Sequence, residues 1–98
     1  MAQATPWCRS VVRLDIRSSA LKHGITVKGI EHVLTFCVLV DEDFEGSQSP
    51  KVLVLGPDQA GNIFEVIGVV DIEGLFTIFH AMPARTGYLK MLERKENL

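Results

Sequence analysis

The chain has 98 residues, of which 47% are apolar and 22% charged, and its formal net charge is −2 at neutral pH. A chain of this length closes one hydrophobic core, and this composition argues against intrinsic disorder, so we expect a single domain over residues 1–98. The two cysteines, Cys8 and Cys37, lack metal-ligand spacing, and no leader-like segment is evident, so a reduced cytoplasm is the expected location. Since a membrane-spanning helix needs roughly 20 apolar residues, no contact with a membrane is predicted.

The acidic balance weighs against a nucleic-acid function, because proteins that grip phosphates usually carry a basic surface. The charges are unevenly distributed, with acidic residues between Asp41 and Glu45 and basic residues between Arg85 and Lys95. A basic patch on one face therefore remains open. The alternative is that both segments are solvated surfaces without a function.

The first quarter of the chain predicts a strand and then a brief helix. Residues 11–16 alternate well enough for a strand. Ser18 or Ser19 can then cap a short helix that runs to Lys22 or His23 and ends at residue 24, where glycine favours the left-handed conformation.

A second helix is predicted to open at Thr26, a residue type suited to capping. Apolar residues at positions 27, 30, 33 and 34 have the spacing of one buried face. His32 falls on the polar side of this helix, where we expect it to face solvent.

The remaining chain predicts strands at 38–40, 51–56, 63–70 and 75–81, followed by a helix that Thr86 caps. Turn sequences at 57–62 and 71–74 make the last three strands an antiparallel meander. Pro83 is expected to end the last strand. The predicted fold class is α+β: a small antiparallel sheet packed against two short N-terminal helices, with a short C-terminal helix.

Glu65 is the only charged residue in the predicted strand 63–70, and a buried carboxylate needs a partner. If the turn 71–74 joins its two strands directly, Glu65 lies opposite His80. His80 and Arg85 are then the expected partners. A carboxylate in this position would orient His80 for proton transfer. The alternative is a purely structural pair, and a bulge of one residue would separate the two side chains.

Two more residues near the C-terminus are candidates for catalysis. The forked guanidinium of Arg85 can hold two phosphate oxygens, although it could equally pair with Glu65 or with the C-terminal carboxylate. Tyr88 could donate a proton or stack on a base, or it could simply cover the core.

Lys22, His23 and Lys90 are candidate RNA contacts. The alternative for the first two is that they stabilise the end of a helix through its dipole. The three histidines have no metal-ligand spacing, so neither a metal site nor a cofactor is predicted. Serine-hydrolase elbows, glycine-rich phosphate loops and C-x-x-C pairs are absent.

Three features together resemble a known family. They are the corner Lys22-His23-Gly24-Ile25, the meander with glycines at its first bend, and the segment Ala84-Arg85-Thr86-Gly87-Tyr88. This combination resembles the BrnT-like toxins, a branch of the RelE-like ribonucleases found in bacterial type II toxin-antitoxin modules. In place of the arginines common in that family's C-terminal segment, this chain has Met82-Pro83-Ala84.

The resemblance implies metal-independent endoribonuclease activity on messenger RNA and a cognate antitoxin as partner. The expected catalytic set is Glu65, His80, Arg85 and Tyr88. A second hypothesis keeps the fold without catalysis: the domain docks another protein through its sheet edge and its C-terminal segment, with a homodimer as one form.

Overall fold

The structure, a computed structural model, describes residues 13–42, 44 and 51–96, of which 94–96 are described by their backbone alone. The elements in chain order are β1 (Arg13–Ile16), a 3-10 helix (Ser18–Leu21), α1 (Val27–Thr35), β2 (Leu39–Asp41), β3 (Lys51–Pro57), β4 (Ile63–Val70), β5 (Leu75–Pro83) and α2 (Thr86–Glu96). The predicted α+β class is confirmed. Residues 11 and 12 of the predicted first strand, and most of the predicted loop 41–50, lie outside the described residues.

The five strands form one mixed sheet in the order β1-β5-β4-β3-β2. The antiparallel meander is confirmed for β3, β4 and β5, and β2 adds to it antiparallel to β3. The expectation of a purely antiparallel sheet is wrong, because β1 pairs with β5 in parallel. No turn sequence specifies that pairing, since the two strands lie far apart in the chain.

Helices cover both faces of the sheet, which corrects the predicted arrangement. The first of the two predicted N-terminal helices is a single 3-10 turn, and with α1 it packs on one face. That face carries the larger cluster, which consists of Ala20, Ile25, Ile30, Val33, Leu34, Val52, Val54, Phe64, Val66, Phe76, Ile78 and Ala81. On the other face Tyr88, Met91 and Leu92 of α2 pack against Leu53, Leu55 and Ile67. Among the described residues, no helix has both the length and the hydropathy to cross a membrane.

The start of α1 follows the sequence prediction closely. The Oγ1 atom of Thr26 accepts a hydrogen bond from the backbone N–H of Gly29 at 3.0 Å, and Gly24 has a φ of +92°. Two details differ. Val27, the first residue of α1, is 44% exposed, whereas Ile30, Val33 and Leu34 are buried as predicted. His32 is half-buried, and its Nδ1 atom lies 2.9 Å from the carbonyl oxygen of Pro57.

The two hairpins of the meander use the same turn. In each, one aspartate carboxylate, that of Asp58 or Asp71, accepts hydrogen bonds from two backbone N–H groups. A glycine three residues later has a positive φ, +90° at Gly61 and +87° at Gly74. This geometry makes the second turn one residue longer than predicted, so that residue 70 pairs with residue 76.

A bulge adds a further residue to β5. Gly68 pairs with Ile78 whereas Ile67 pairs with His80, so Phe79 is the extra residue. A bulge of this kind places two successive side chains on the same face. Glu65 is consequently opposite Met82, and the predicted pairing of Glu65 with His80 is wrong by two positions. Because side chains alternate between the two faces of a sheet, a register offset of two residues leaves Glu65 and His80 on the same face. The two are therefore diagonal neighbours on adjacent strands.

Candidate functional site

A carboxylate with no solvent exposure lies at the centre of the site. The side chain of Glu65 is 0% exposed. Its Oε2 atom accepts from Nε2 of His80 at 2.8 Å and from Nη2 of Arg85 at 2.7 Å. The Nε atom of Arg85 lies 3.1 Å from both carboxylate oxygens, and the backbone N–H of Arg85 donates to Oε1 at 2.9 Å. The partners predicted for Glu65 are therefore both present.

These contacts keep Glu65 ionised. Burial on its own raises the pKa of the carboxyl group, but the hydrogen bonds from Arg85 and His80, together with the charge of Arg85, outweigh it and lower the pKa. The hydrogen bond to Glu65 raises the pKa of Arg85 in turn. An ionised carboxylate can only accept hydrogen bonds, so Nε2 of His80 must be the donor. In its neutral form His80 then carries its free lone pair on Nδ1.

Arg85 spans the boundary between the buried carboxylate and solvent. It directly precedes α2, and its carbonyl oxygen accepts from the backbone N–H groups of Tyr88 and Leu89. Its side chain remains 56% exposed. The guanidinium is thus fixed on one side by Glu65 and open on the other, which is the arrangement needed to meet an external anion.

Tyr88 lies under the guanidinium. The Cζ atom of Arg85 is 5.2 Å from the centre of the Tyr88 ring, and the rings of Tyr88 and Phe44 are 6.2 Å apart. Tyr88 also packs against the cluster of Leu53, Leu55 and Ile67. These contacts match the core-covering alternative, and the phenol's proposed part in catalysis stays a prediction.

A second imidazole lies next to His80. The ring centres of His23 and His80 are 6.0 Å apart, with an angle of 68° between the ring planes. The bulge in β5 explains this approach. The Oγ atom of Ser19 donates to the carbonyl oxygen of Phe79 at 2.7 Å, which ties the 3-10 helix to the bulge and places His23 beside His80.

The other predicted RNA contacts are arranged differently. Lys22 is exposed and adjoins His23 in the chain, whereas Lys90 is exposed on α2. Within the described residues, no contact joins Lys90 to His80 or Arg85. The Arg94 and Lys95 side chains, part of the basic segment, lie outside the described residues.

The sequence interpretation missed the proximity of His23 to His80 and the part that Ser19 plays in it. Ser19 in the 3-10 helix and Phe79 in β5 are 60 positions apart in the sequence. No local pattern marks such a contact. The bulge in β5 would have pointed to this contact, but its position cannot be read from the sequence.

Among the described residues, no three side chains of His, Cys, Asp or Glu are grouped so that they could hold a metal ion. Comparisons with protein-family models, with curated proteins and with solved structures find no match.

Proposed function

We propose that this protein is a metal-independent endoribonuclease of the toxin kind, acting on messenger RNA and restrained by a cognate antitoxin. The observation that supports this proposal most directly is the buried Glu65 carboxylate, which holds an imidazole and a half-exposed guanidinium side by side. The sequence resemblance to BrnT-like toxins points in the same direction.

Three residues of the expected catalytic set have separate roles in this proposal, and Tyr88 supports the guanidinium of Arg85 from below. Arg85 binds the scissile phosphate and meets the charge that develops on it in the transition state. His80 transfers a proton at the reacting oxygen. Glu65 is a positioning residue, because it is fully buried and its oxygens are already occupied. Lys22, His23 and Lys90 provide further contacts with RNA.

The acidic net charge does not oppose this function at the level of the site. The charged group that the site turns toward solvent is the half-exposed guanidinium of Arg85. The negative charge of Glu65 is fully buried beside it. A short local contact with one or two phosphates fits this distribution better than a long basic groove does.

Expression of the protein in a bacterial host tests the proposal. We expect growth arrest with fragmented messenger RNA, relief by the product of a neighbouring reading frame, and loss of both effects in Arg85→Ala. Arg17→Ala is the matched control, because Arg17 is an exposed arginine whose ion pair in the described part of the chain is with Asp15, away from Glu65.

Arg85→Ala removes the guanidinium that pairs with the buried carboxylate of Glu65, so its folding needs a separate check. Arg85→Lys keeps a positive charge but loses the fork, and it should retain the fold better while losing cleavage. Normal growth and intact RNA with the folded wild-type protein, with and without translating ribosomes, would refute the proposal.

A non-catalytic role in protein binding is the second candidate. The observation in its favour is a pair of exposed apolar residues after α1, Phe36 at 48% and Val38 at 45% exposure. Sedimentation of the wild-type protein and of Phe36→Ser tests whether this surface forms a homodimer. A monomer at all concentrations in both proteins would rule that form out.

A further inference from the structure

We infer that His23 and His80 form a proton-transfer pair that cleaves RNA through its own 2′-hydroxyl group. This inference rests on the proposed ribonuclease function and adds a substrate requirement to it. The observation behind it is the approach of the two imidazoles, whose ring centres lie 6.0 Å apart in an edge-to-face arrangement. His80 in turn donates to the Glu65 carboxylate that also holds the half-exposed guanidinium of Arg85.

The spacing suits one phosphate seated between two rings. A proton-transfer group must come within about 2.6–3.2 Å of the oxygen that it serves. At 6.0 Å the rings are too far apart to bond to each other, and each can reach a different oxygen of the same phosphate. The angle of 68° between the ring planes shows that the rings are not stacked face to face. Face-to-face stacking would direct their nitrogens away from a shared ligand.

The hydrogen bonds assign different roles to the two rings. Glu65 holds Nε2 of His80 as a donor, so Nδ1 of the neutral ring is free to accept a proton. His23 is exposed, and within the described residues its ring makes no hydrogen bond. His23 in its protonated form is therefore the donor of the pair.

The reaction balances without any other reactant. Nδ1 of His80 takes the proton of the 2′-hydroxyl, and the 2′-oxygen forms a bond to phosphorus. The bond between phosphorus and the 5′-oxygen breaks, and His23 gives its proton to that leaving oxygen. The products are a 2′,3′-cyclic phosphate and a 5′-hydroxyl end. Exchange with water restores both rings.

Ser19 is a positioning residue in this scheme. Its hydroxyl donates to the carbonyl oxygen of Phe79 in the bulge. This bond holds the 3-10 helix, which ends at Leu21 two residues before His23, against β5. The bulge and the longer turn before β5 together place His80 on the same face as Glu65. The pair of imidazoles thus depends on one irregularity in β5 and on one side-chain hydrogen bond to it.

The test compares two RNA substrates that differ in one atom. One has the ordinary 5′-oxygen at the cleaved linkage, and the other has sulfur there, a leaving group that departs without a proton. His23→Ala should slow cleavage of the ordinary linkage by roughly 100- to 10,000-fold, the usual contribution of a proton donor. The same variant should cleave the sulfur linkage to within a few-fold of wild type.

Two variants provide the controls. His80→Ala should be slow on both substrates, because the base is missing in each case. His32→Gln should match wild type, since His32 lies at the carbonyl oxygen of Pro57 and outside the site. A 2′-deoxy residue at the cleaved position should block the reaction.

The outcomes separate the two proposals. If wild type cleaves RNA and His23→Ala cleaves the ordinary linkage as fast as His32→Gln does, the inference is overturned and the ribonuclease stands. An equal loss on both substrates also overturns it, because His23 then only binds RNA. If wild type cleaves neither substrate, the ribonuclease proposal fails, and the pair with it.

Discussion

At the scale of single residues, the interactions of Glu65 determine the site. A fully buried carboxylate is costly unless it is paired and hydrogen-bonded. Here Arg85 satisfies it through the backbone as well as the guanidinium, and His80 completes the set. The same contacts that stabilise the charge also fix the tautomer of His80 and the direction of Arg85. Stability and the proposed chemistry thus depend on one side chain.

The pH dependence of folding should reveal this carboxylate. Because the pKa of Glu65 is lowered below its ordinary value of 4.5, the unfolded chain binds its proton at a higher pH than the folded protein does. The stabilisation is therefore complete above about pH 4.5 and is lost as the pH falls through the folded pKa. Glu65→Gln should lower the free energy of unfolding by about 3 kcal/mol at neutral pH. The variant should also lack the loss of stability that titration of Glu65 causes in wild type.

Urea unfolding of wild type and Glu65→Gln between neutral and acidic pH measures this difference. Exposed carboxylates contribute equally to both proteins, so the gap between the two curves isolates Glu65. The gap should shrink as the pH falls. A gap that stays constant through the acidic range would show that Glu65 is not the ionised group described above.

At the scale of elements, the turn and the bulge set the register between β4 and β5. The longer turn shifts the pairing by one residue and the bulge at Phe79 shifts it by one more. Each shift alone would move Glu65 and His80 to opposite faces, and together they restore the shared face. The position of His80 is therefore a property of the whole hairpin.

Gly68 is required at this bulge. A Cβ atom there would come within 2.2 Å of the Thr77 carbonyl oxygen and 2.7 Å of the Phe76 ring. We expect Gly68→Ala to destabilise the fold by about 1–3 kcal/mol through overpacking. Gly87→Ala is the control, because a Cβ atom meets nothing within 4 Å at that helical position.

The free energy of unfolding of Gly87→Ala should equal that of wild type or exceed it by about 0.5 kcal/mol, because alanine reduces the conformational freedom of the unfolded chain. Chemical denaturation of the two variants measures both effects. Equal stability of Gly68→Ala and wild type would mean that β4 and β5 do not approach as closely as described.

The same hairpin shows what sequence could and could not predict. The strands, the Thr26 cap and the partners of Glu65 follow from local patterns and from the cost of burying a charge. The parallel pairing of β1 and the approach of His23 to His80 depend on contacts between distant segments. The predicted contact between Glu65 and His80 is present for a reason that differs from the predicted one, since two register shifts cancel.

At the scale of the whole molecule, the proposed site places one half-exposed guanidinium on a domain with a net charge of −2. In the proposed function, affinity for RNA comes from a few contacts around Arg85. We propose that an antitoxin or the ribosome supplies the remaining specificity by holding the RNA or by covering the site.

The salt dependence of RNA binding should therefore be shallow. Single-stranded RNA gives a slope of about −0.7 per neutralised phosphate in a plot of log affinity against log salt concentration. With contacts limited to Arg85, Lys22, His23 and Lys90, we expect a slope of about −3. Fluorescence anisotropy with the inactive His80→Ala variant measures it. A slope of about −5 or steeper would point to an extended basic groove.

The most direct test of the proposed site is the chemistry of the RNA ends. Purified wild-type protein and His80→Ala, both shown to be folded, are incubated with messenger RNA in the presence and absence of translating ribosomes. Wild type should leave 2′,3′-cyclic phosphate and 5′-hydroxyl ends, and His80→Ala should leave the RNA intact. Equal cleavage by both proteins, or intact RNA with wild type under both conditions, would contradict the assignment.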